Sequence, residues 1–377
     1  MDFTRREFGH ALTSTALWRG LKTPPYTEGE FWRGLETAPY AQRESTARQG
    51  EPAGSLTDVP GIKVGHYTDT RRPTGCTAII FETAAAAGVD YNSSAPGESQ
   101  GVLLQPVSPV DRIHALFLTG GGILSLPSTA GVIRYFEERN LGFDWGTPGL
   151  RIPIVVGAVI DDLAVGDPKI RPDADAAYKA CVAAASGPIA EGNVGVGAGA
   201  TVGKMHRGRG LGGMKGGLGT ASLKLGDVVI GALAVVNAAG DILDWRSGRI
   251  VAGARKPDGS FADSVEVMHG IVAGNRGAVD DPALRSTTLA VVATNVTLQK
   301  TALTKVAMMA NCGAARAIRP YHTTGDGDSL FAVSTGRLER PDVQLTVLGA
   351  LAADLVAEAI VRGVRAARSV EGWPAIQ

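Results

Sequence analysis

Two short stretches of this chain carry side chains suited to acyl transfer. The first is Arg285-Ser286-Thr287-Thr288-Leu289-Ala290-Val291-Val292-Ala293-Thr294-Asn295, in which two threonines open an apolar run directly after a polar segment. β-Propensity alone accounts for such a pair, because threonine is common in strands. The alternative is an N-terminal nucleophile: the peptide bond before Thr287 is cut, and the freed α-amine becomes the base for its own hydroxyl. An α-amine suits that task because its ordinary pKa lies near 8. The second stretch is His322-Thr323-Thr324-Gly325-Asp326-Gly327-Asp328-Ser329, with two carboxylates one residue apart. An Asp-x-Asp makes a turn or holds a cation, but the regularly spaced oxygens of a calcium loop are absent.

Residues 194–204 form a glycine-rich run ending in Gly203-Lys204. Gly195-x-Gly197-x-Gly199 brings its third glycine one residue too early for a dinucleotide fingerprint. Only three residues separate Gly199 from Gly203, and Met205 follows Lys204, so a phosphate loop also fails. Lys204 remains either a surface charge or a buried site residue approached closely by backbone. The basic, glycine-rich stretch 207–219 reads as a solvated loop.

Other chemistries are poorly supplied. There is no G-x-S-x-G elbow. His66, His114 and His269 lack ligand-spaced partners, and Cys76, Cys181 and Cys312 form no C-x-x-C pair. Neither a metal nor an organic cofactor is expected.

These residues need a scaffold, and the pattern supplies one. Strands are predicted at 77–81, 114–119, 153–160, 228–236, 288–294 and 329–334. Helices are predicted at 128–140, 173–186, 300–316 and 344–368. Such alternation gives an α/β class with sheets covered by helices. Glycine supplies 50 of 377 residues, roughly twice the usual share, which suggests tight turns and close backbone approaches. Basic and acidic side chains balance at 37 each, which argues against a nucleic-acid binder. No apolar run reaches the roughly 18 residues of a membrane helix, so no membrane partner is expected.

Residues 1–54 read as a leader. Thr4-Arg5-Arg6-Glu7-Phe8 looks like the start of a twin-arginine export signal, but the apolar stretch after it is short. A cytoplasmic location is expected, with periplasmic or secreted protein as the alternative. Leu17-Trp18-Arg19-Gly20-Leu21 recurs as Phe31-Trp32-Arg33-Gly34-Leu35, as a docking arm or a disordered tail. The catalytic body is expected at 55–377, as one domain.

From about Leu56 onward the chain resembles the L-aminopeptidase/D-esterases and their relatives, the 6-aminohexanoate-oligomer (nylon-oligomer) endohydrolases. The markers are Thr57-Asp58-Val59-Pro60-Gly61-Ile62-Lys63-Val64-Gly65-His66, Thr74-Gly75-Cys76-Thr77, Leu118-Thr119-Gly120-Gly121, the run ending at Lys204, Val235-Val236-Asn237, Thr287-Thr288, and Arg316-Ala317-Ile318-Arg319-Pro320 before the Asp-Gly-Asp segment. The acidic pair Asp326/Asp328 resembles the nylon-oligomer branch.

The resemblance implies a four-layer αββα sandwich of the aminopeptidase/ornithine acetyltransferase type. It implies self-cleavage between Ser286 and Thr287 into chains 55–286 and 287–377, the smaller carrying about 9 to 10 kDa of the 38.9 kDa. Thr287 would then be the nucleophile toward a small amide or peptide substrate. Asn237 would steady the oxyanion or the amine, Lys204 would add positive charge and hold the hydroxyl, and Asp326 and Asp328 would orient the ammonium and hydroxyl. A homo-oligomer, a tetramer of cleaved heterodimers, is implied as well.

The chain departs from its relatives at Ser286, where the nylon-oligomer branch has Asn. It departs again at Asp161, where several relatives have a site Tyr, and at Gly122, where Ser is common. Asp161, with Gly121 and Gly122, is expected to contact substrate, or else Asp161 is a strand-end turn residue. The alternative functions are an aminopeptidase or D-amino-acid esterase-amidase, an acyl transferase of the ornithine acetyltransferase type, and a non-catalytic relative.

Overall fold

A computed structural model describes residues 52–274 and 286–376. The leader motifs around Arg5-Arg6, both Trp-Arg-Gly-Leu copies and Arg285 lie outside the described residues.

The nine principal strands are β1 (Ile62–Thr68), β2 (Gly75–Asp90), β3 (Glu98–Ser99), β4 (Arg112–Thr119), β5 (Val155–Val159), β6 (Gly217–Leu225), β7 (Val228–Val236), β8 (Leu289–Val296) and β9 (Ser329–Leu338). They hydrogen-bond in the order β6-β7-β8-β9-β2-β4-β5-β3, with β1 on β2. The sheet folds over on itself at β2. Residues 75–81 of β2 pair with β1, residues 86–90 pair with β9, and the register against β4 shifts between Ile80 and Ala85. Exposed Glu82 and Thr83 mark the break.

Side-chain alternation then decides which face packs on what. Leu233 and Val235 of β7, Val291 of β8 and Phe331 of β9 meet Ile79, Leu116 and Val156 from the other half of the sheet. That is the sandwich core. The opposite face of β7–β9, including Ile230, Val292 and Ala332, packs under α4 (Lys300–Ala317) and α5 (Leu345–Arg365). Val306, Ala310 and Ala314 on α4, and Leu348, Ala352, Val356 and Ile360 on α5, form stripes at helical spacing. Cys76, Ala78, Ala115 and Phe117 pack under α1 (Thr129–Glu137) and α2 (Ala174–Val182). The order of layers is α, β, β, α, as the resemblance implied. A further helix, α3 (Ser264–Val272), precedes the Ser286–Thr287 segment in the chain.

Strand 228–236 lies where its apolar run predicts. The expected helices 128–140 and 173–186 stop earlier, at Glu137 and Val182. The expectation of a solvated loop at 207–219 is corrected over its second half. Residues 213–219 are buried, and β6 starts at Gly217. Lys215 has no exposure, because its ammonium donates to the carbonyls of Gly197 (3.0 Å), Ala200 (2.8 Å) and Gly216 (3.0 Å). A lysine satisfied this way belongs to the interior although its composition reads as surface.

Candidate active site

Register brings the acyl-transfer residues together. β7 and β8 run antiparallel with Val235 opposite Leu289, which places Asn237 opposite Thr287. Thr287 N–H donates to the Asn237 carbonyl at 3.0 Å. β8 and β9 run parallel with Leu289 beside Ser329, so the segment before β9 lies beside the segment before β8. Gly327 N–H donates to the Ser286 carbonyl at 3.0 Å, and Thr288 N–H to Asp328 Oδ1 at 2.6 Å. Thr287 Oγ1 lies 2.7 Å from the same Ser286 carbonyl oxygen. The hydroxyl therefore sits against the carbonyl group it would attack, and a backbone N–H already points at that oxygen. A Cβ on Gly327 would come within 2.7 Å of Thr287 Oγ1 and 2.5 Å of the Ala95 carbonyl, so only glycine fits there.

Lys204 reaches the same place from the glycine run. Its Nζ donates to Asn237 Oδ1 at 2.7 Å and to Thr201 Oγ1 at 3.1 Å. Burial of the ammonium end lowers its pKa to about 7, partly offset by Asp161, Asp326 and Asp162. Near neutrality about half of such lysines are uncharged. Asp326 moves the other way, up to about 6, first through burial and then through the neighbouring Asp328. Its Oδ2 accepts from Thr323 N–H at 2.8 Å, while its Oδ1 is buried with no hydrogen-bond partner. Two groups at one site thus titrate close to pH 7, the property proton carriers need.

The second sheet half closes the site. Asp161 follows β5, and its carbonyl accepts from Asn237 Nδ2 at 3.2 Å. Asp161 Oδ1 accepts from Leu163 N–H at 3.0 Å, as in a strand-end turn, and the carboxylate faces Gly122. Gly121 and Gly122 both take positive φ in the turn after β4. All the residues singled out from sequence gather here: Ser286, Thr287, Lys204, Asn237, Asp326 and Asp328 in direct contacts, with Asp161, Gly121 and Gly122 on the neighbouring turn.

A model of peptidase family S58 matches residues 54–375, nearly the whole described chain. The chain belongs to peptidase family S58. Among its S58 relatives is an uncharacterized aminopeptidase of Mycobacterium tuberculosis (strain ATCC 25618 / H37Rv), 38% identical over 348 residues, which cover 85% of this chain and 96% of that one. The 6-aminohexanoate-oligomer endohydrolase of Kocuria sp. (strain KY2) is 31% identical over 330 residues, covering 82% and 85%. The fold matches the L-aminopeptidase D-Ala-esterase/amidase of Ochrobactrum anthropi, described as a variant of the Ntn hydrolase fold. The TM-score is 0.60, with 24% identity and 86% and 89% of the two chains covered. This S58 member is accordingly a hydrolase of amide or peptide bonds.

Several S58 site contacts escaped sequence reasoning. Asp328 Oδ2 accepts from His322 N–H at 3.2 Å and lies 3.3 Å from His322 Nδ1. Ser93 Oγ donates to the Asp328 carbonyl at 2.7 Å. Thr201 N–H donates to Asn237 Oδ1 at 3.1 Å. His322 stood at the edge of the Asp-Gly-Asp motif, but neither it nor Ser93 carried a spacing signal. The backbone donor of Gly327 carried none at all.

Proposed function

We propose that this chain cuts itself between Ser286 and Thr287 and then hydrolyses amides through a Thr287 acyl-enzyme. The single observation that carries the reading is the Ser286 carbonyl held between Gly327 N–H and the Thr287 hydroxyl. In self-cleavage Thr287 Oγ bonds to the Ser286 carbonyl carbon, and the oxygen takes up negative charge toward Gly327 N–H. A donor so placed is typically worth about 3 kcal/mol. The carbon–nitrogen bond then breaks, and the nitrogen leaves with a proton as the Thr287 α-amine. Water releases the ester, giving one chain that ends at Ser286 and a second, 287–377, which together make up the one catalytic domain 55–377.

Before the cut there is no α-amine to act as base. Neutral Lys204 takes the hydroxyl proton in that step, a role supported by its lowered pKa and its bond to Asn237. Afterwards the α-amine takes over, held by the Asn237 carbonyl that held its N–H before. Asp328 and ionised Asp326 orient this end of the strand.

The substrates proposed are linear amide oligomers or short peptides, supported by the endohydrolase relatives; the aminopeptidase relatives favour short peptides and amino-acid amides. We take Asp161, whose carbonyl accepts from Asn237, to face the acyl part of a substrate, where its carboxylate would favour acyl parts carrying a cationic amine. A tetramer of cleaved heterodimers and a cytoplasmic location complete the proposal. The test is incubation with 6-aminohexanoate oligomers, short peptides and amino-acid amides, reading hydrolysis and a mass adduct on the smaller chain. Adducts on any other segment, or none with every substrate while hydrolysis proceeds, would remove Thr287 from the role.

A further inference from the structure

Behind the site lies a buried ion pair that the proposed chemistry leaves unused. Arg72 and Asp162 are both buried. Asp162 Oδ1 accepts from Arg72 Nη2 and from Gly121 N–H, each at 2.9 Å, and Oδ2 accepts from Thr74 Oγ1 at 2.6 Å. The guanidinium spends its other donors on backbone: Nε on the Val165 carbonyl at 2.6 Å, Nη1 on the Ile170 carbonyl at 2.8 Å, and Nη2 also on the Asp162 carbonyl. Buried pairs of this kind are often no more stabilising than apolar residues of the same volume. Stability alone therefore does not explain this one.

Its position does. A Cβ on Gly120 would lie 2.3 Å from Asp162 Oδ2, and so would one on Gly199. The turn after β4 and the glycine turn Gly195–Gly199 thus both close on one carboxylate. The glycine turn leads directly to Thr201 and Lys204. On the other side, Asp161 is the residue before Asp162, and its carbonyl accepts from Asn237 Nδ2. That bond fixes which end of the Asn237 amide faces Lys204: with the NH2 committed to Asp161, the oxygen is left for Lys204 Nζ and Thr201 N–H.

We propose that Asp162, fixed by Arg72 and Thr74, is a positioning residue that aims the Asn237 amide and the Lys204 loop at Thr287. This assignment rests on the self-cleaving amide-hydrolase reading above. It adds to that reading a second layer of residues, joined to the site through Asp161 and the two glycine turns, which touches neither substrate nor nucleophile.

The assignment also has an electrostatic consequence. Lys204 is faced by Asp161, Asp162 and Asp326, by the cation Arg207, and by Lys215, whose own pKa burial lowers to about 7. Removing the Asp162 charge takes away one of the groups that keep Lys204 protonated, so the pH at which Lys204 becomes neutral falls.

The experiment compares wild type with Asp162→Asn, Thr74→Val and Thr74→Ser. Self-cleavage is followed by intact mass, and kcat and KM are measured against pH on the cleaved fraction. Asp162→Asn is expected to slow self-cleavage and lower kcat at least about tenfold, with KM changed less than about twofold. The rise of its self-cleavage rate with pH is expected to move to lower pH. Thr74→Val, which removes one hydrogen bond and no charge, is expected to lose several-fold in kcat, and Thr74→Ser to restore it. If Asp162→Asn does not fold, the threonine pair decides. Unchanged kcat and an unmoved pH profile in the folded variants would overturn the assignment. So would losses equal in Thr74→Val and Thr74→Ser that track melting temperature alone. Wild type that neither cuts itself nor turns over any amide would defeat the underlying reading and this assignment with it.

Discussion

Asn237 and Thr287 face each other across the β7–β8 ladder, and the Thr287 N–H donates to the Asn237 carbonyl at 3.0 Å. The same asparagine accepts Lys204 Nζ on its side-chain oxygen and donates its NH2 to Asp161. One residue thus ties the Thr287 nitrogen, Lys204 and the Asp161 turn into a single network. Cutting the Ser286–Thr287 bond would turn that N–H into the α-amine without moving its partner.

Substitution of Thr287, the proposed nucleophile, separates maturation from folding. Thr287→Ala keeps the strand and its backbone bonds but removes the attacking oxygen. It is expected to stay uncut and to lose at least about 10³-fold in turnover. Gel electrophoresis and hydrolysis assays check both, with circular dichroism to show the fold intact. Turnover at the wild-type rate would remove Thr287 from the mechanism.

Gly327→Ala tests the oxyanion donor. The new methyl would fall 2.7 Å from Thr287 Oγ1 and 2.5 Å from the Ala95 carbonyl, displacing the hydroxyl or the donor. Loss of one such donor costs about 10²-fold, and self-cleavage is expected to slow by that order. A time course of intact mass measures it.

The pH dependence of self-cleavage follows from two groups. Lys204 must be neutral to accept the proton, and with a pKa of about 7 it becomes so as pH rises through 7. Asp326 must be ionised, and with a pKa of about 6 it is so only above pH 6. Both signs agree: the rate rises from pH 5 to pH 8 and then levels. Lys204→Met is expected to leave a slow residual rate without the upper part of the rise, and a profile identical to wild type would contradict the role of Lys204.

Asp161→Asn removes a carboxylate from the turn proposed to face the acyl part of the substrate. Hydrolysis of amides with a cationic acyl group is expected to fall about tenfold in kcat/KM, about 1.4 kcal/mol, while neutral acyl groups change little. Paired kinetics on free-amine and N-acetylated forms of one peptide amide read the difference.

Much of the fold was legible in the chain because its strands announce themselves. Residues 228–236 are one continuous apolar run with β-branched residues at both ends, and all nine residues are buried. The length of β2 was hidden because exposed Glu82 and Thr83 interrupt its pattern where it passes from one sheet half to the other. The site residues were legible as motifs, but their union depends on register: Asn237 meets Thr287 only because Val235 pairs with Leu289. Lys215 and Asp162 were illegible for one shared reason. A buried charge is recognised by its partners, and these are carbonyls of a folded turn in one case and Arg72, 90 residues away in sequence, in the other.

Lys215→Met tests that point physically. It removes one donor from each of three buried carbonyls, of which those of Gly197 and Ala200 keep a backbone N–H, and is expected to destabilise the uncut Thr287→Ala protein by about 1–3 kcal/mol in urea unfolding. Unchanged stability would mean the ammonium contributes nothing net.

Intact mass under denaturing conditions tests the central claim most directly. The account predicts two chains that separate at the Ser286–Thr287 bond, the smaller beginning with Thr287 and weighing about 9 to 10 kDa of the 38.9 kDa total. A single full-length mass, unchanged on storage at pH 8, would contradict it.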